Sequence, residues 1–148
     1  MTHTWIKAFG AAALVAGLYA LPASAAMPSD WDANADAGLT NEEFANRFKT
    51  MGVFAKWDTD KNAMISQAEF TAGMTAHGEA FKTRFVGTEN SDLYATWNKD
   101  GAEGLTEKEF YDAIYGAYDD NRDNTIQDAE FGDINTDIGT SGVWGGKS

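Results

Sequence analysis

The sequence predicts an all-α fold in which four helix–loop–helix units pack into one compact domain. Two observations support this prediction: a twelve-residue loop pattern that occurs four times, and a helix-starting signal at the end of each copy. The clearest copy, residues 58–69, reads D-T-D-K-N-A-M-I-S-Q-A-E and stands between Trp57 and Phe70. In chain order, loops 1 to 4 are residues 32–43, 58–69, 98–109 and 119–130.

The four loops share one frame. An aromatic residue precedes each loop, oxygen-bearing side chains stand at places one and three, and Leu or Ile stands at place eight. Glu stands at place twelve and Phe follows it in every copy. In loops 1 to 3 a Thr or Ser lies three residues before this Glu, which is the capping-box arrangement that starts a helix. Loop 4 has Gln127 there, a poorer cap.

This spacing of oxygens suits a hard cation. Ca²⁺ takes six to eight oxygen ligands, and a loop that curls around it supplies them from places one, three, five, seven, nine and twelve, with a backbone carbonyl at seven. The candidate metal ligands are therefore, in loop 1, Asp32, Asn34, Asp36, Gly38, Thr40 and Glu43; in loop 2, Asp58, Asp60, Asn62, Met64, Ser66 and Glu69; in loop 3, Asn98, Asp100, Gly104, Thr106 and Glu109; and in loop 4, Asp119, Asn121, Asp123, Thr125, Gln127 and Glu130.

These residues resemble the EF-hand loop, and the resemblance covers nearly all of the chain after its first 25 residues. It implies a Ca²⁺-binding repeat protein. The sequence departs from the EF-hand pattern at place six, which is normally Gly because the loop turns sharply there. Place six is here Ala37, Ala63, Glu103 and Asn124. Gly38 and Gly104, one place later in loops 1 and 3, are candidates to take over the turn.

Loop 3 departs furthest from the pattern. It has Asn98 at place one and Ala102 at place five, so Asp100 and Glu109 are its only carboxylates among the usual ligand places. Loops 1, 2 and 4 each have three. We therefore expect loop 3 to be weak or empty.

The spacing between loops predicts how they pair. The segments 44–57 and 110–118 each fit one helix shared by two loops, and such a helix keeps its loops apart. The segment 70–97 is longer, contains three glycines and can hold two helices, with Ser91 as a candidate cap. We therefore expect short β pairings between loops 2 and 3 and between loops 1 and 4.

The compressed loop spacing also resembles the lanmodulin family of periplasmic four-EF-hand proteins, which bind lanthanides. Loops of that family place Pro second and often Asp ninth. Here the second places are Ala33, Thr59, Lys99 and Asp120, and Asp is absent from every ninth place. Calcium is therefore the favoured ion, and lanthanide binding is the alternative.

The two ends of the chain have their own patterns. Residues 1–25 combine Lys7, a short apolar run and a terminal A-S-A, which predicts a cleavable signal peptide and a periplasmic or secreted protein. The four-loop domain is then 26–138. Residues 139–148 are glycine-rich and predict a flexible tail, although Val143 and Trp144 are able to dock on a groove. The chain has no cysteine, so metal rather than disulfides is expected to stabilise it.

Composition excludes several functions. The formal net charge is −12, with 23 acidic and 11 basic residues, so this acidic protein is not expected to bind nucleic acid. His77 is the sole histidine after the predicted signal peptide, and no nucleophile or zinc-protease motif is present, so no enzyme is predicted. A monomeric calcium buffer or sensor without a membrane anchor is the favoured interpretation. The alternative is an interaction module that binds an unidentified protein and uses metal only to stay folded.

Overall fold

The computed structural model describes residues 27–85, 92–139 and Trp144. The predicted signal peptide, residues 1–25, lies outside the described residues. The described part is predominantly helical, as predicted. Its elements in chain order are α1 (Asn41–Thr50), α2 (Val53–Trp57), β1 (Met64–Ile65), α3 (Gln67–Phe85), α4 (Leu93–Trp97), β2 (Leu105–Thr106), α5 (Glu107–Tyr118) and α6 (Asp128–Gly139).

Helices start where the capping signals predict. Thr40 caps α1 and Thr106 caps α5, each in a complete capping box with the glutamate three residues later. Ser66 makes the same pair of contacts with Glu69 at the start of α3. The short helix α4 is capped by Asp92, whose side chain accepts the N–H of Ala95. The candidate cap Ser91 lies outside the described residues.

The loops pair as the spacing predicts. Strands β1 and β2 join loops 2 and 3 in an antiparallel sheet with Met64 opposite Thr106 and Ile65 opposite Leu105. Leu39 of loop 1 and Ile126 of loop 4 form an isolated antiparallel bridge, with N–H···O distances of 2.8 and 3.0 Å. All four place-eight residues are fully buried, so each pairing also joins two apolar side chains in the core.

Place seven shows why these partners fit. Gly104 in loop 3 lies against Met64 of loop 2, which holds the same place, and an added Cβ would come within 2.8 Å of the Met64 Cβ. Gly38 in loop 1 lies against the side chain of Thr125, which holds this place in loop 4. Each pair therefore combines a glycine with a larger residue. The expectation that these glycines take over the turn is wrong, because neither has a positive φ.

The segment between loops 1 and 2 is not the single helix that its length predicts. Helix α1 ends at Thr50, and α2 begins at Val53 after Gly52, whose φ is +67°. The N–H of Gly52 is bonded to the carbonyl of Lys49, a tighter turn that ends the α-helical register. The helical spacing of Phe44, Phe48, Met51 and Ala55 predicts one apolar stripe, but after this break Ala55 is exposed.

The other two connections match their spacing. Loops 3 and 4 share the single helix α5, and the longer segment between loops 2 and 3 holds α3 and α4. No helix within the described residues combines the length and apolar character needed to cross a membrane.

The core is dominated by aromatic rings. Three tryptophans and a tyrosine that precede the loops are all buried, and rings from α1, α3, α5 and α6 fill the space between them. Among the closest pairs, Phe44 stacks on Phe48 at 4.2 Å between centroids, and Trp31 meets Phe131 edge-on at 5.3 Å. Offset and edge-to-face aromatic pairs of this kind add to the stabilisation from burial.

One residue of the predicted flexible tail lies in this core. Trp144 is 1% exposed, and its ring lies 5.5 Å from Phe48 and 5.6 Å from Phe85. Trp144 is therefore docked, as the alternative to a flexible tail predicts. Gly139 ends α6, and the other tail residues, including Val143, lie outside the described residues.

The place-seven packing predicts the effect of adding one methyl group. Gly104→Ala should lower the free energy of unfolding by about 1–3 kcal/mol, because the new Cβ overpacks the contact with Met64. Gly116→Ala is the matched control. Gly116 is an exposed position of helix α5 where the added Cβ meets no neighbouring side chain within 4 Å, so Gly116→Ala should stabilise the protein by about 0.5–1 kcal/mol. Urea unfolding of the metal-free protein measures both.

A double-variant cycle tests the cause. Removing the Met64 side chain with Met64→Gly should reduce the cost of Gly104→Ala, because the two side chains would no longer meet. An equal cost of Gly104→Ala in both backgrounds would contradict this account of the pairing.

Candidate metal centre

The first aspartate of a loop holds the loop backbone in a curl. In loop 2 the two oxygens of Asp58 accept the N–H groups of Asn62 and Ala63, at 3.1 and 2.9 Å. Asp32 in loop 1 and Asp119 in loop 4 accept the corresponding pairs of N–H groups. All three aspartates are buried. Backbone N–H dipoles therefore face the charged oxygens of all three aspartates.

The same curl requires left-handed backbone at two places. In loops 1, 2 and 4 the residues at places four and six have φ between 59° and 67°: Ala35, Ala37, Lys61, Ala63, Arg122 and Asn124. A non-glycine residue in this conformation costs about 1–2 kcal/mol. The sequence indicated this cost at place six, and the N–H···carboxylate bonds of the first aspartate offset it. In loop 3 the left-handed residue is Gly101, at place four.

The glutamate at place twelve ties the two ends of its loop together. In loop 2, Oε1 of Glu69 accepts the N–H groups of Thr59 and Asp60, at 2.8 and 3.1 Å. Its Oε2 accepts the Ser66 N–H at 2.9 Å and the Ser66 hydroxyl at 2.8 Å. Bonds from both ends of the loop are also made by Glu43, Glu109 and Glu130.

Loop 2 brings three carboxylates together. One oxygen from each of Asp58, Asp60 and Glu69 lies within 4.8 Å of the other two. Asp58 is buried, Asp60 is exposed, and Glu69 is intermediate, so the group opens to solvent on one side. Among the other side chains that the structure describes, no three acidic, histidine or cysteine groups approach as closely. This group is able to hold a metal ion.

The other ligand candidates of loop 2 line the same curl. Asn62 and Asp60 are linked side chain to side chain at 3.0 Å, and the Asn62 Oδ1 accepts the N–H of Met64 at 2.8 Å. Ser66 lies beside Glu69 through its hydroxyl. Direct hydrogen bonds thus connect all six candidate residues of loop 2 into one network.

Loops 1 and 4 keep the backbone scheme with looser carboxylates. Asn34 and Asp36 each accept a backbone N–H two residues ahead, as their counterparts Asn121 and Asp123 do in loop 4. In loop 4 the Nε2 of Gln127 donates to Asp123 at 2.8 Å. A side-chain amide therefore occupies one carboxylate oxygen in loop 4, as the Asn62 amide does on Asp60 in loop 2. In these two loops the Thr40 N–H donates to Glu43, the Gly38 N–H to Asp36 and the Thr125 N–H to Asp123.

Loop 3 differs in chemistry. Its first residue, Asn98, uses its Nδ2 to donate to the Ala102 carbonyl at 2.8 Å, where the aspartates of the other loops accept N–H groups. Asp100 accepts the Ala102 N–H at 2.9 Å, and the place-five side chain has no oxygen. Thr106 and Glu109 keep the place-nine and place-twelve contacts, and Gly104 lies directly before β2, against Met64. Loop 3 thus offers two carboxylates, as the sequence indicates.

Two tyrosines contribute to the loops in a way that the repeat pattern did not indicate. Tyr115 of α5 donates its hydroxyl to the carbonyl of Leu39 at 2.9 Å. Tyr94 of α4 donates to the carbonyl of Ile65 at 3.3 Å. Each tyrosine therefore braces the place-eight residue of a loop. Neither the loop frame nor the capping signals indicate these hydroxyl partners.

Hydrogen bonds lower the pKa of three place-twelve carboxyls, those of Glu43, Glu69 and Glu109. The hydrogen bond from the Ser66 N–H is the largest influence on the Glu69 carboxyl, and it outweighs burial, which acts in the opposite direction. The pKa of Glu69 is therefore lowered from 4.5 to about 2. For Glu43 and Glu109 burial raises the pKa, but bonds from Thr40 and Thr106 outweigh it and leave each pKa below 4.5. These carboxylates are therefore charged at neutral pH and available to a cation.

No protein-family model, curated protein sequence or solved structure matches this chain. Its function is therefore inferred from the geometry and chemistry of the loops.

The depressed pKa of Glu69 predicts a pH dependence in the metal-free protein. A lowered folded-state pKa contributes stability that is present above pH 4.5 and is lost as pH falls from 4.5 to about 2. Ser66→Ala removes the hydroxyl donor but keeps the N–H, so the pKa of Glu69 should rise part of the way toward 4.5. Carboxyl-carbon NMR titration measures it. A pKa near 4.5 in the unaltered protein would contradict the hydrogen-bond account.

Proposed function

We propose that this protein is a secreted or periplasmic EF-hand protein that binds Ca²⁺ reversibly and acts as a calcium buffer or sensor. The observation that carries the proposal is the convergence of Asp58, Asp60 and Glu69 within 4.8 Å in loop 2. The recurrence of one backbone scheme in the other loops supports it, because a ligand loop that occurs four times is typical of this class.

The donor set fits the ion. Ca²⁺ binds oxygens at about 2.3–2.6 Å, so two oxygens bound to one ion lie no more than about 5 Å apart. The carboxylates of loop 2 are already within that limit. The loop has no histidine or cysteine, and Met64 is expected to contribute only its backbone carbonyl, so a hard cation is favoured over zinc or copper.

Each residue of loop 2 has a place in this proposal. Asp58, Asp60 and Asn62 would supply side-chain oxygens, and Met64 its backbone carbonyl. Glu69 would supply both carboxylate oxygens, with the Ser66 position acting directly or through water. On binding the ion, the carboxylates would give up some of the hydrogen bonds that they accept from backbone N–H groups.

The four loops are not equivalent in this proposal. Loop 2 combines three carboxylates with the closest approach, and loops 1 and 4 have three carboxylates in a looser arrangement. Loop 3 has two and should fill last or never. An affinity of about 10⁻⁶ to 10⁻³ M suits a calcium protein outside the cytosol.

Ca²⁺ binding should appear as folding energy. The stripped protein carries clustered carboxylates without disulfides, so ions that bind only the folded state should raise its melting temperature. Calorimetric titration and thermal unfolding, with and without chelator, measure both. Identical melting curves in chelator and in millimolar Ca²⁺ would refute the proposal.

Loop-specific variants test the ranking. Glu69→Gln keeps a residue able to form the capping box but removes the charge, so it should abolish one strong binding event. Glu43→Gln and Glu130→Gln should each remove an event as well. Glu109→Gln makes the same change in loop 3 and is the matched control, with little effect expected. Loss of the tightest site in Glu109→Gln would overturn the ranking.

The ratio of affinities separates calcium from lanthanide binding. A trivalent ion gains more Coulomb energy from three carboxylates than Ca²⁺ does, so La³⁺ should compete with Ca²⁺ at every filled loop. Such competition is expected of a calcium protein. If Ca²⁺ neither binds nor folds the protein at millimolar concentration while La³⁺ does so at nanomolar concentration, the lanthanide alternative replaces the calcium proposal.

A further inference from the structure

Trp144 is held in the core by directional bonds as well as by packing. Its indole N–H donates to the hydroxyl of Tyr118 at 2.7 Å, and its backbone N–H donates to the carbonyl of Asp137 at 3.3 Å. The Tyr118 hydroxyl donates in turn to the Asp137 carboxylate at 2.7 Å. All three residues are buried, so the chain of bonds gives the indole a specific orientation.

Two of the residues that lie against Trp144 stand directly before the candidate ligands of two loops. Tyr118 is followed by Asp119, the first ligand of loop 4. Trp57, whose ring lies 6.4 Å from the Trp144 ring, is followed by Asp58, the first ligand of loop 2. The Trp144 carbonyl also lies 3.5 Å from the Nζ of Lys56, in the same turn of α2.

Both helix ends carry their loops with them. Helix α2 ends at Trp57, and the N–H of Asp58 is still bonded to the carbonyl of Phe54 at 2.9 Å. At the end of α5, the N–H of Asp119 is bonded to the carbonyl of Tyr115 at 3.0 Å. A shift of the aromatic residue at either helix end therefore displaces the aspartate that organises the loop backbone.

We propose that Trp144 is a positioning residue whose docking in the core is coupled to cation binding in loops 2 and 4. The inference rests on the proposed calcium function. Because Trp144 holds the two helix ends that present Asp58 and Asp119, a cation in either loop and a docked Trp144 favour the same arrangement. By linkage, the ion tightens the docking of Trp144 as much as the docked indole tightens the ion.

Trp31 provides the matched comparison. It precedes Asp32 in loop 1, as Trp57 precedes Asp58 in loop 2, and it is likewise buried. Its ring packs against Phe131 and also against Phe48, at 5.9 Å. Replacing Trp31 by Phe should therefore disturb loop 1, whereas replacing Trp144 by Phe should disturb loops 2 and 4.

The test is a site-resolved Ca²⁺ titration of the full chain by NMR. The backbone amides of Ala37, Ala63 and Asn124 donate to the first aspartate of loops 1, 2 and 4, so each reports its own loop. Trp144→Phe keeps an aromatic ring and removes the N–H donor. It should weaken Ca²⁺ binding at loops 2 and 4 by about 2–10-fold, the equivalent of one hydrogen bond, and change loop 1 less.

A second variant removes the same bond from the other side. Tyr118→Phe deletes the hydroxyl that accepts from Trp144 and should weaken loop 4 by a similar factor. Combined with Trp144→Phe, it should have less than the multiplied effect, because the bond is lost once. This variant tests the proposal if Trp144→Phe does not fold.

The outcomes separate the two proposals. Absence of Ca²⁺ binding in the unaltered protein overturns both the calcium function and the coupling. If the unaltered protein binds Ca²⁺ but Trp144→Phe and Trp31→Phe weaken all loops equally, Trp144 acts on general stability alone, and only the coupling is overturned. The coupling is also overturned if the double variant weakens Ca²⁺ binding by the full product of the factors for Trp144→Phe and Tyr118→Phe.

Discussion

The structure depends on carboxylates that accept backbone N–H groups of their own loop. Asp58 holds places five and six of loop 2, and Glu69 ties the start of the loop to its end. These bonds stabilise left-handed residues that lack the usual glycine, such as Ala63, and they aim the oxygens at one another. Repulsion between carboxylates placed this close is the physical reason that a cation is the proposed ligand.

Loop pairing converts four local curls into one domain. The place-eight residues join in antiparallel pairs, and each pairing sets a glycine against a larger residue at place seven, as Gly104 lies against Met64. Behind the pairs, aromatic residues fill the core, and Tyr94 and Tyr115 bond to the paired backbone. Movement in one loop is thus transmitted to its partner and to the helices behind it.

The core also explains how distant segments can bear on the proposed calcium sites. The aromatic residues before loops 2 and 4 both lie against Trp144, and the Tyr118 hydroxyl donates a hydrogen bond to the buried carboxylate of Asp137. A residue at a helix end that also precedes a ligand serves packing and binding at once. Packing changes near Trp57 or Tyr118 therefore reach the first aspartates through a single peptide bond.

The sequence by itself determined what depends on local spacing: the loop frame, the capping residues, the helical class and the pairing of loops 2 with 3 and 1 with 4. Tertiary structure decided features that depend on partners remote in sequence. The break at Gly52 ends a segment long enough for one helix. The role of Gly38 and Gly104 follows from the opposite loop rather than from their own turn. Trp144 is buried because the aromatic core surrounds its ring and the Tyr118 hydroxyl accepts its indole N–H. Neither the glycine content of the tail nor the loop spacing predicts that environment.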